Sequence, residues 1–413
     1  MQRLQAFKFE LMPTGEQDRN MRRFAGACRF VFNKALALQR DTYEVGGKYI
    51  GYVAMARHLT VWRNGDETPW LMDAPVHALQ HALKDLDRAY KNFFEKRAAF
   101  PRFRKRGQNN GFRYPDRKQI KLDQTNFRIF LPKLGWVRFR KSRDVLGEVR
   151  NATVSHAGGK WFVSIQTARE IEQPLPVGTS SVGIDMGVAR FATFSDGSYL
   201  SPLNSFRRHA PRLARAQRAI SRKQKFSNNW KKAKARIQRI HARIANVRRD
   251  FLHKASAAIS KNHAFVCIED LKVRNMSRSA SGTLGNPGRN VNAKSGLNKA
   301  ILDQGWAEFR RQLEYKLDWN GGWLIAVPPH DTSRTCPCCG HVCAFNRMTQ
   351  AQFFCVECGF EANADLVGAI NVLRRGEAQL SSEGLELARI ACGESVQSGR
   401  SVKQEPSEVT CDG

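Results

Sequence analysis

The sequence lacks long apolar runs and is poor in acidic residues. No run of about eighteen apolar residues, the length that a membrane-spanning helix needs, occurs in its 413 residues. The N-terminus also lacks the order of basic, apolar and small residues that marks a secretory signal. The 37 Asp and Glu face 68 Lys and Arg, which gives a formal net charge of +31. We therefore expect a soluble intracellular chain with two or more domains.

The positive charge predicts a polyanionic partner, because a compact fold with this excess would otherwise repel itself. Nucleic acid is the favoured partner, with binding that weakens steeply as salt rises. An anionic membrane is the alternative, but no amphipathic anchor or lipidation motif supports it, so we expect no membrane partner. The expected location is the cytoplasm of a bacterial cell, on the nucleoid when the protein is bound to DNA. The sequence leaves the oligomeric state open.

The charge is concentrated between Arg207 and Arg249, where sixteen Arg or Lys residues occur and no acid. The cations recur at helical spacing, and Ile237, Ile240 and Ile244 form a separate apolar stripe. This predicts two basic amphipathic helices. Such a run is commonly a solvated face, but the missing acids favour nucleic-acid binding. The candidate contacts are Arg208, Arg212, Arg215, Arg218, Arg222, Lys232 and Arg236.

The first part of the chain changes its periodicity twice. Residues 1–12 alternate as a strand, 16–96 have helical periodicity, and 118–169 alternate again, which predicts a small antiparallel barrel or sheet. The apolar helical face carries Leu79, Leu83, Leu86 and Tyr90. Segment 100–114 interleaves basic and aromatic residues, which suits phosphate contacts and base stacking or, as readily, a connector with aromatic anchors. Its candidate contacts are Arg102, Arg104 and Lys105.

A linker marked by Pro174 and Pro176 precedes a new domain that begins at Ser181. The elements predicted next are a buried strand at 182–188, a hairpin turn at Asp196–Gly197, a second buried strand at 264–268, a helix over 303–317, a strand over 323–327 and a helix over 365–374. Segment 277–298 is rich in Ser, Gly and Asn, which predicts a mobile loop. After Gly376 the composition turns acidic and predicts a largely disordered tail.

Six of the ten cysteines lie between positions 336 and 358, which in a reducing compartment indicates metal binding. Two CxxC pairs are separated by fifteen residues, and a glycine follows each pair. Four thiolates at this spacing predict one structural Zn²⁺ in a zinc ribbon. The expected ligands are Cys336, Cys339, Cys355 and Cys358. Cys338 lies inside the first pair and should point away from the metal, and Cys343 is a further extra cysteine.

Three acidic residues stand in settings that suit catalysis. Asp185 lies in an apolar strand, Glu269 closes the second strand, and Asp365 opens a helix after the cysteines. Each alone has an ordinary alternative as a turn residue, a strand end or a helix cap. Together they form the ribonuclease-H-like arrangement, in which carboxylates hold two Mg²⁺ ions for phosphodiester hydrolysis. We therefore expect all three to be catalytic magnesium ligands.

Several motifs together resemble one known family. They are GIDMGV at 183–188, IEDLK at 268–272, TSxxCxxCG at 332–340 and FCxxCG at 354–359, with further matches at 89–94, 100–105 and 250–254. The chain resembles TnpB, the nuclease that insertion sequences encode and a relative of the type V CRISPR effectors. The similarity extends to about Arg375.

The resemblance implies an α+β multidomain chain with a RuvC-like nuclease domain whose catalytic acids are Asp185, Glu269 and Asp365. The implied parts are a wedge-like β-barrel (1–15 and 116–176), a helical recognition domain (16–115), the RuvC-like domain (181–330 and 362–375) and the zinc ribbon (331–361). The acidic tail (376–413) is predicted from composition alone. The implied partners are a guide RNA from the element's own end and a DNA target, both double-stranded and single-stranded. Cleavage is expected beside a short target-adjacent motif. Tyr52 and Gln80 are candidate readers of that motif or, equally, ordinary helix-surface residues.

Two other functions are open. A nuclease-inactive, RNA-guided repressor is expected to have lost at least one catalytic acid, whereas all three are present here. A transposase that joins strands itself would need a pair of histidines flanking a hydrophobic residue, together with a catalytic tyrosine, and no such pattern is evident. RNA-guided cleavage is therefore the preferred function.

Overall fold

The computed structural model describes residues 2–107, 110–172, 174–176 and 180–382. The chain forms two compact units, one that ends at Glu172 and one that begins at Gln173, beside the predicted Pro174–Pro176 linker. Most of the predicted acidic tail, from 383 to 413, lies outside the described residues. Within the described ranges, no helix is long and apolar enough to cross a membrane.

The first unit mixes strands and helices. In chain order its described elements are β1 (Gln2–Met12), α1 (Gly15–Glu44), α2 (Tyr52–Asn64), a 3₁₀ turn (Pro69–Asp73), α3 (Val76–Phe94), β2 (Gly111–Tyr114), a 3₁₀ turn (Arg117–Gln119), β3 (Lys121–Asp123), β4 (Arg128–Leu131), β5 (Gly135–Phe139), β6 (Glu148–Ala157) and β7 (Lys160–Glu170). The strand at the N-terminus, the helices that follow it and the second set of strands were all predicted from periodicity, and the structure confirms them.

The seven strands of this unit form one antiparallel sheet in the order β2-β6-β7-β1-β5-β4-β3. β1 is long enough to pair with two strands, because residues up to Glu10 pair with β7 and its last two pair with β5. Its alternate residues Phe7, Phe9 and Leu11 are buried, as the two-residue period predicts. The pairings define a sheet, and a β2–β3 pairing that would close a barrel is not among those of the described residues.

The helices of the first unit share one hydrophobic core with the sheet. α1 begins with a capping box, in which Thr14 accepts the Gln17 N–H and the Gln17 side chain accepts the Thr14 N–H. α3 buries Leu79, Leu83 and Leu86, the face that the sequence predicts. Each fully buried Leu stabilises the fold by about 1.5–3 kcal/mol.

The second unit contains the remaining elements. They are β8 (Ser180–Asp185), β9 (Ala192–Phe194), β10 (Tyr199–Leu200), α4 (Ser205–Ser221), α5 (Asn228–Asn262), β11 (His263–Glu269), α6 (Val273–Met276), α7 (Val291–Gln304), α8 (Trp306–Trp319), β12 (Trp323–Val327), a 3₁₀ turn (Ala344–Asn346), β13 (Gln352–Phe354), β14 (Glu361–Asn363) and α9 (Ala364–Ser382). Five of the strands form a sheet in the order β10-β9-β8-β11-β12. β8, β11 and β12 are parallel, and β9 and β10 are antiparallel additions joined by the predicted hairpin turn.

Helix α9 lies against this sheet at positions where glycine permits close approach. A Cβ on Gly376 would lie 2.0 Å from the Cys267 Sγ on β11. The sequence predicted that the helix ends at residue 374 and that a tail begins at 376, and this is wrong for residues 376–382, because α9 continues to Ser382. Gly376 allows α9 to pack closely on the sheet, and the stabilisation from this packing exceeds the free-energy cost of placing glycine inside a helix.

Two further predictions in this unit are corrected. The Ser-, Gly- and Asn-rich segment 277–298 is not a loop throughout, because α7 begins at Val291. Lys294 donates to the Met276 carbonyl at 2.7 Å and Asn298 to the Arg278 carbonyl at 3.0 Å, so tertiary contacts order a segment that composition assigns to a loop. The helix expected from residue 303 begins instead at Trp306, after a break at Gly305 with a φ of 77°.

We expect Gly183→Ala to be strongly destabilising. A Cβ there would lie 2.1 Å from the Ala369 carbonyl oxygen and 2.7 Å from the Leu373 nitrogen, so α9 would have to move away from β8. The expected loss is about 3 kcal/mol of unfolding free energy, measured by urea denaturation. Gly285→Ala is the control, because nothing lies within 4 Å of its Cβ position. Equal urea midpoints for the two variants would contradict the close approach.

Candidate active site and metal centre

The three predicted acids are brought to one edge of the five-stranded sheet. Ile184 of β8 pairs in parallel with Ile268 of β11, so the next residues, Asp185 and Glu269, lie side by side where the strands end. Asp365 lies in the first turn of α9. One turn further along the same helix, a Cβ on Gly368 would lie 3.0 Å from the Asp185 Oδ2.

The electrostatics of this cluster are unfavourable for negative charge. Burial, together with the neighbouring charges of Glu269 and Asp365, raises the pKa of Asp185 to about 8. Burial also raises the pKa of Glu269, against the effect of the Thr332 hydroxyl, which donates to it. The guanidinium of Arg347 lowers both pKa values, but it does not outweigh burial. A bound cation would stabilise the ionised carboxylates and lower these pKa values.

The four predicted cysteines also come together. All four sulfurs lie within 4.8 Å of one another, with Cys336 Sγ 3.6 Å from Cys358 Sγ and Cys339 Sγ 3.5 Å from Cys355 Sγ. Gly340 and Gly359 have φ values of 76° and 74°, the left-handed conformation that lets each CxxC pair turn back on itself. The cluster can therefore bind a metal, and Cys338 and Cys343 are not part of it, as predicted for Cys338.

The thiols and the carboxylates differ in spacing. In the described ranges, the four cysteines alone form a group of three or more metal-ligating side chains whose ligand atoms are all within 4.8 Å. The three carboxylates therefore do not converge on one point as the thiols do. Their arrangement is an open edge of the sheet that carries three carboxyl groups.

The cysteine cluster is packed against the helix that carries Asp365. Cys336, Cys355 and Phe353 share a small hydrophobic core with Ala364 and Val367 of α9. The position of Asp365 in its helix therefore depends on the packing around the thiols.

Sequence reasoning missed the side chains that hold the site in place. Thr332 donates to a Glu269 oxygen at 2.8 Å, and Asn371 donates to the Thr332 and Thr335 carbonyls at 2.8 Å each. Arg347 donates to the Ser333 hydroxyl at 2.7 Å and stands near the acids. The position of Thr332 four residues before the first cysteine was a signal, but its partner lies 63 residues away in sequence.

The basic segment forms the two predicted helices, α4 and α5, with Ser227 as the N-cap of the second. Leu213, Ala216, Ile240 and Ile244 are buried between them, so the apolar stripe joins the two helices. The predicted nucleic-acid contacts Arg208, Arg212, Arg215, Arg218, Arg222, Lys232 and Arg236 are all exposed. A groove of about 540 Å³ between the helices is lined by Arg212, Arg215, Lys223, Asn229, Lys232 and Arg236. None of the seven candidates forms an ion pair with a carboxylate of the described residues.

The candidates from segment 100–114 divide into two kinds. Arg102 and Lys105 are exposed. Arg104 is mostly buried, with an ion pair to Asp85 at 3.1 Å and its guanidinium 3.8 Å from the centre of the Phe32 ring. Arg104 therefore stabilises the first unit from within, whereas the other two cations are free to meet a phosphate.

The two candidate readers of DNA lie on helices of the first unit. Tyr52 opens α2 and is partly buried, with the Lys84 amine 5.1 Å from its ring centre. Gln80 is partly buried on α3. Their surroundings fit helix-surface residues as well as DNA contacts.

Three family models match separate parts of the chain. The model described as "Probable transposase" matches residues 160–280, "Cas12f1-like, TNB domain" matches 306–372, and "Helix-turn-helix domain" matches 1–48. The last stretch folds here as β1 followed by the single long helix α1. The second match spans α8, β12, the cysteine cluster and the start of α9.

The fold is the α+β fold of the Cas12f1 nucleases. The chain superposes on a Cas12f1 solved in complex with sgRNA and target DNA with a TM-score of 0.55 at 12% identity, over 90% of this chain and 98% of the other. "Putative RNA-guided DNA endonuclease InsQ" of Escherichia coli K12 is 59% identical over 99% of both chains. "Putative RNA-guided DNA endonuclease" of Streptomyces pristinaespiralis is 34% identical over 98% of this chain and 97% of its own. The chain belongs to the TnpB family.

Proposed function

We propose that this protein is an RNA-guided, magnesium-dependent DNA endonuclease of a transposable element that cuts its target beside a short adjacent motif. The observation that carries this is the meeting of Asp185, Glu269 and Asp365 at one sheet edge. The relatives at 59% and 34% identity, named as RNA-guided DNA endonucleases, support the same function. The guide RNA and the target DNA are the proposed partners.

We further propose that residues 181–330 and 362–375 are a RuvC-like, ribonuclease-H-like domain and that 331–361 is its zinc ribbon. The strand order β10-β9-β8-β11-β12 supports this, because it places three parallel strands beside two antiparallel ones. The proposed wedge-like domain takes residues 1–15 and 116–176, and the proposed recognition domain takes 16–115. In the described residues, these two share one hydrophobic core.

The acids fit magnesium as ligands. Carboxylate oxygens are the donors that Mg²⁺ prefers, and the raised pKa of Asp185 marks a place where added positive charge is favourable. When bound, two Mg²⁺ ions activate a water molecule and neutralise the charge that develops on the cleaved phosphate. Asp185, Glu269 and Asp365 would hold the ions, and the Thr332 hydroxyl donates a hydrogen bond to the second of these acids. Arg347 contributes a fixed positive charge beside them.

The thiols fit zinc in a structural role. Among the described residues the group consists of four sulfurs, a donor set that suits tetrahedral zinc and would leave no position for a reacting water. Cys336, Cys339, Cys355 and Cys358 would hold one Zn²⁺. Its contribution to function is to order the base of α9 and hence Asp365.

We propose that the exposed cations of α4 and α5 bind the nucleic-acid backbone. The groove between the helices carries five cationic side chains and no carboxylate. Arg102 and Lys105 are proposed contacts of the first unit, together with Tyr52 and Gln80. Arg104 is better explained by its ion pair with Asp85.

Replacing Arg212, Arg215 and Arg218 together with Gln should weaken nucleic-acid binding and flatten its salt dependence. Each lost phosphate contact lowers the slope of log K against log salt by about 0.9, so the expected change is up to about 3. Filter binding over a salt series measures it. Lys254→Gln is the control, because Lys254 is paired with Asp250 at 2.9 Å and should leave the slope unchanged. If the triple variant keeps the original slope, these three arginines are solvent-exposed residues that do not contact the nucleic acid.

The proposed function is tested with the protein and RNA from the downstream end of its locus, with the guide segment reprogrammed. The purified complex meets a plasmid library with randomised bases beside the matching target, in magnesium or in EDTA. Guide-matched, magnesium-dependent cuts enriched for one flanking motif are expected. Binding without cutting would favour a repressor. The absence of both binding and cutting would overturn the proposal.

A further inference from the structure

Glu269 differs from the other two acids in its burial. It is 8% exposed, whereas Asp185 and Asp365 are only partly buried. A buried carboxylate needs a hydrogen-bond donor if it is to remain ionised. The donor is the hydroxyl of Thr332, itself 2% exposed, at 2.8 Å from Glu269 Oε1.

The Thr332 hydroxyl has one proton and two acceptors within reach. Glu269 Oε1 is at 2.8 Å and the Pro329 carbonyl is at 3.2 Å. The shorter contact is to the charged acceptor, where hydrogen bonds are roughly twice as strong as between neutral groups. The proton therefore lies toward Glu269, which fixes one carboxylate oxygen and leaves Oε2 for another ligand.

Thr332 is itself held by the helix that carries Asp365. Asn371 of α9, 4% exposed, donates through one nitrogen to the carbonyls of Thr332 and Thr335. Arg375 of α9 donates to the Pro328 carbonyl at 3.1 Å. These bonds fix segment 328–335, which joins β12 to the first cysteine, against the same helix.

We propose that Thr332 is a positioning residue that orients Glu269 as a magnesium ligand, with Asn371 holding Thr332 in place. The inference rests on the proposed function, because it assigns a role toward the metal of that site. The hydroxyl removes one rotational freedom of the Glu269 carboxylate before the ion arrives. Metal binding then requires less reorganisation of the carboxylate, which is the general advantage of preorganised ligands.

The test compares Thr332→Val, which keeps the shape and removes the hydroxyl, with Thr332→Ser, which keeps the hydroxyl. Thr335→Val is the matched control, because it removes a hydroxyl from the same segment that donates to the Asp331 carbonyl and not to Glu269. The guide-RNA complex is titrated with magnesium for cutting. Mn²⁺ binding by electron paramagnetic resonance gives a readout that does not need cutting.

We expect Thr332→Val to raise both the metal concentration for half-maximal cutting and the Mn²⁺ dissociation constant about tenfold. This effect is within the range seen when a side chain that supports a metal ligand is lost. Thr332→Ser and Thr335→Val should remain within about twofold of the unaltered protein, with zinc content and melting temperature unchanged. If Thr332→Val does not fold, Thr332→Ala replaces it, since the smaller side chain avoids overpacking.

The inference would be overturned if the unaltered complex cuts and Thr332→Val needs the same metal concentration for half-maximal cutting as Thr335→Val. If the unaltered complex binds no Mn²⁺ and cuts nothing, the proposed function fails and the inference fails with it. The two failures are therefore distinguishable from the behaviour of the unaltered complex alone.

Discussion

Asp185→Ala is expected to abolish magnesium-dependent cutting while nucleic-acid binding stays nearly unchanged. The carboxylate ends β8 between Glu269 and the first turns of α9, so its loss removes a ligand shared by the proposed metal site. We expect the cleavage rate to fall at least about a thousandfold, as for removal of a central catalytic group. Single-turnover cleavage and filter binding on the same guide-RNA complex measure the two effects separately.

Asp196→Ala is the control, because Asp196 accepts from Ser198 in the hairpin turn and lies outside the acid cluster. It should cut at the original rate. Loss of binding together with cutting in Asp185→Ala would instead indicate that Asp185 supports the fold.

The same carboxylate should make the metal-free protein less stable as pH rises. Burial raises the pKa of Asp185 to about 8, above its unfolded value near about 4, so between these pH values only the folded chain holds the proton. The unfolding free energy therefore decreases from about pH 4 to about pH 8, by an amount on the order of 5 kcal/mol. Asp185→Asn should flatten this decline, measured by urea midpoints at pH 5 and pH 8 in EDTA. Parallel pH profiles would contradict the burial of this charge.

Cys355→Ser is expected to release the bound zinc and to loosen the base of α9. The Cys355 sulfur is fully buried and 3.5 Å from the Cys339 sulfur, and its neighbours in the small core include Val367. A structural zinc site stabilises a fold by several kcal/mol, so we expect a melting temperature lower by about 10 °C. Cutting should fall with it, since Asp365 begins the same helix.

Zinc content by mass spectrometry and melting by calorimetry measure this effect. Cys343→Ser is the control, because Cys343 is near in sequence but is outside the group of four sulfurs. Unchanged metal content and melting in Cys355→Ser would mean that these thiols do not form the zinc site.

The sequence predicted the parts of the site that depend on local pattern. Apolar runs located β8 and β11, and the settings of Asp185 and Glu269 in them indicated a shared ribonuclease-H-like arrangement. The parallel pairing that places the two acids side by side comes from the structure. The CxxC spacing located the thiols in the same way. The exposed faces of α4 and α5 followed from helical periodicity.

The remaining features depend on contacts between residues far apart in sequence. Glycine is a residue that commonly ends helices, so the sequence predicts that α9 stops near Gly376. Only the close approach of the Cys267 sulfur, which leaves no room for a Cβ, explains a glycine inside a helix that continues. Arg104 lies in a segment whose composition suits phosphate contacts, and only its ion pair with Asp85 and its contact with Phe32 show that this partly buried side chain has partners within the protein. The hydroxyl of Thr332 likewise acquires meaning from Glu269, which no local pattern connects with it.

The order of the acids along the chain has a consequence for synthesis on the ribosome. Asp365 follows Asp185 by 180 residues, and the cationic helices α4 and α5 lie between them. A nascent chain therefore exposes these cationic helices well before α9 emerges and brings the last carboxylate to β8. Until translation passes the cysteines and α9 packs at Gly183 and Gly376, a growing chain carries the proposed nucleic-acid-binding helices without the complete set of proposed metal ligands, so under the proposed function it would not yet cut DNA.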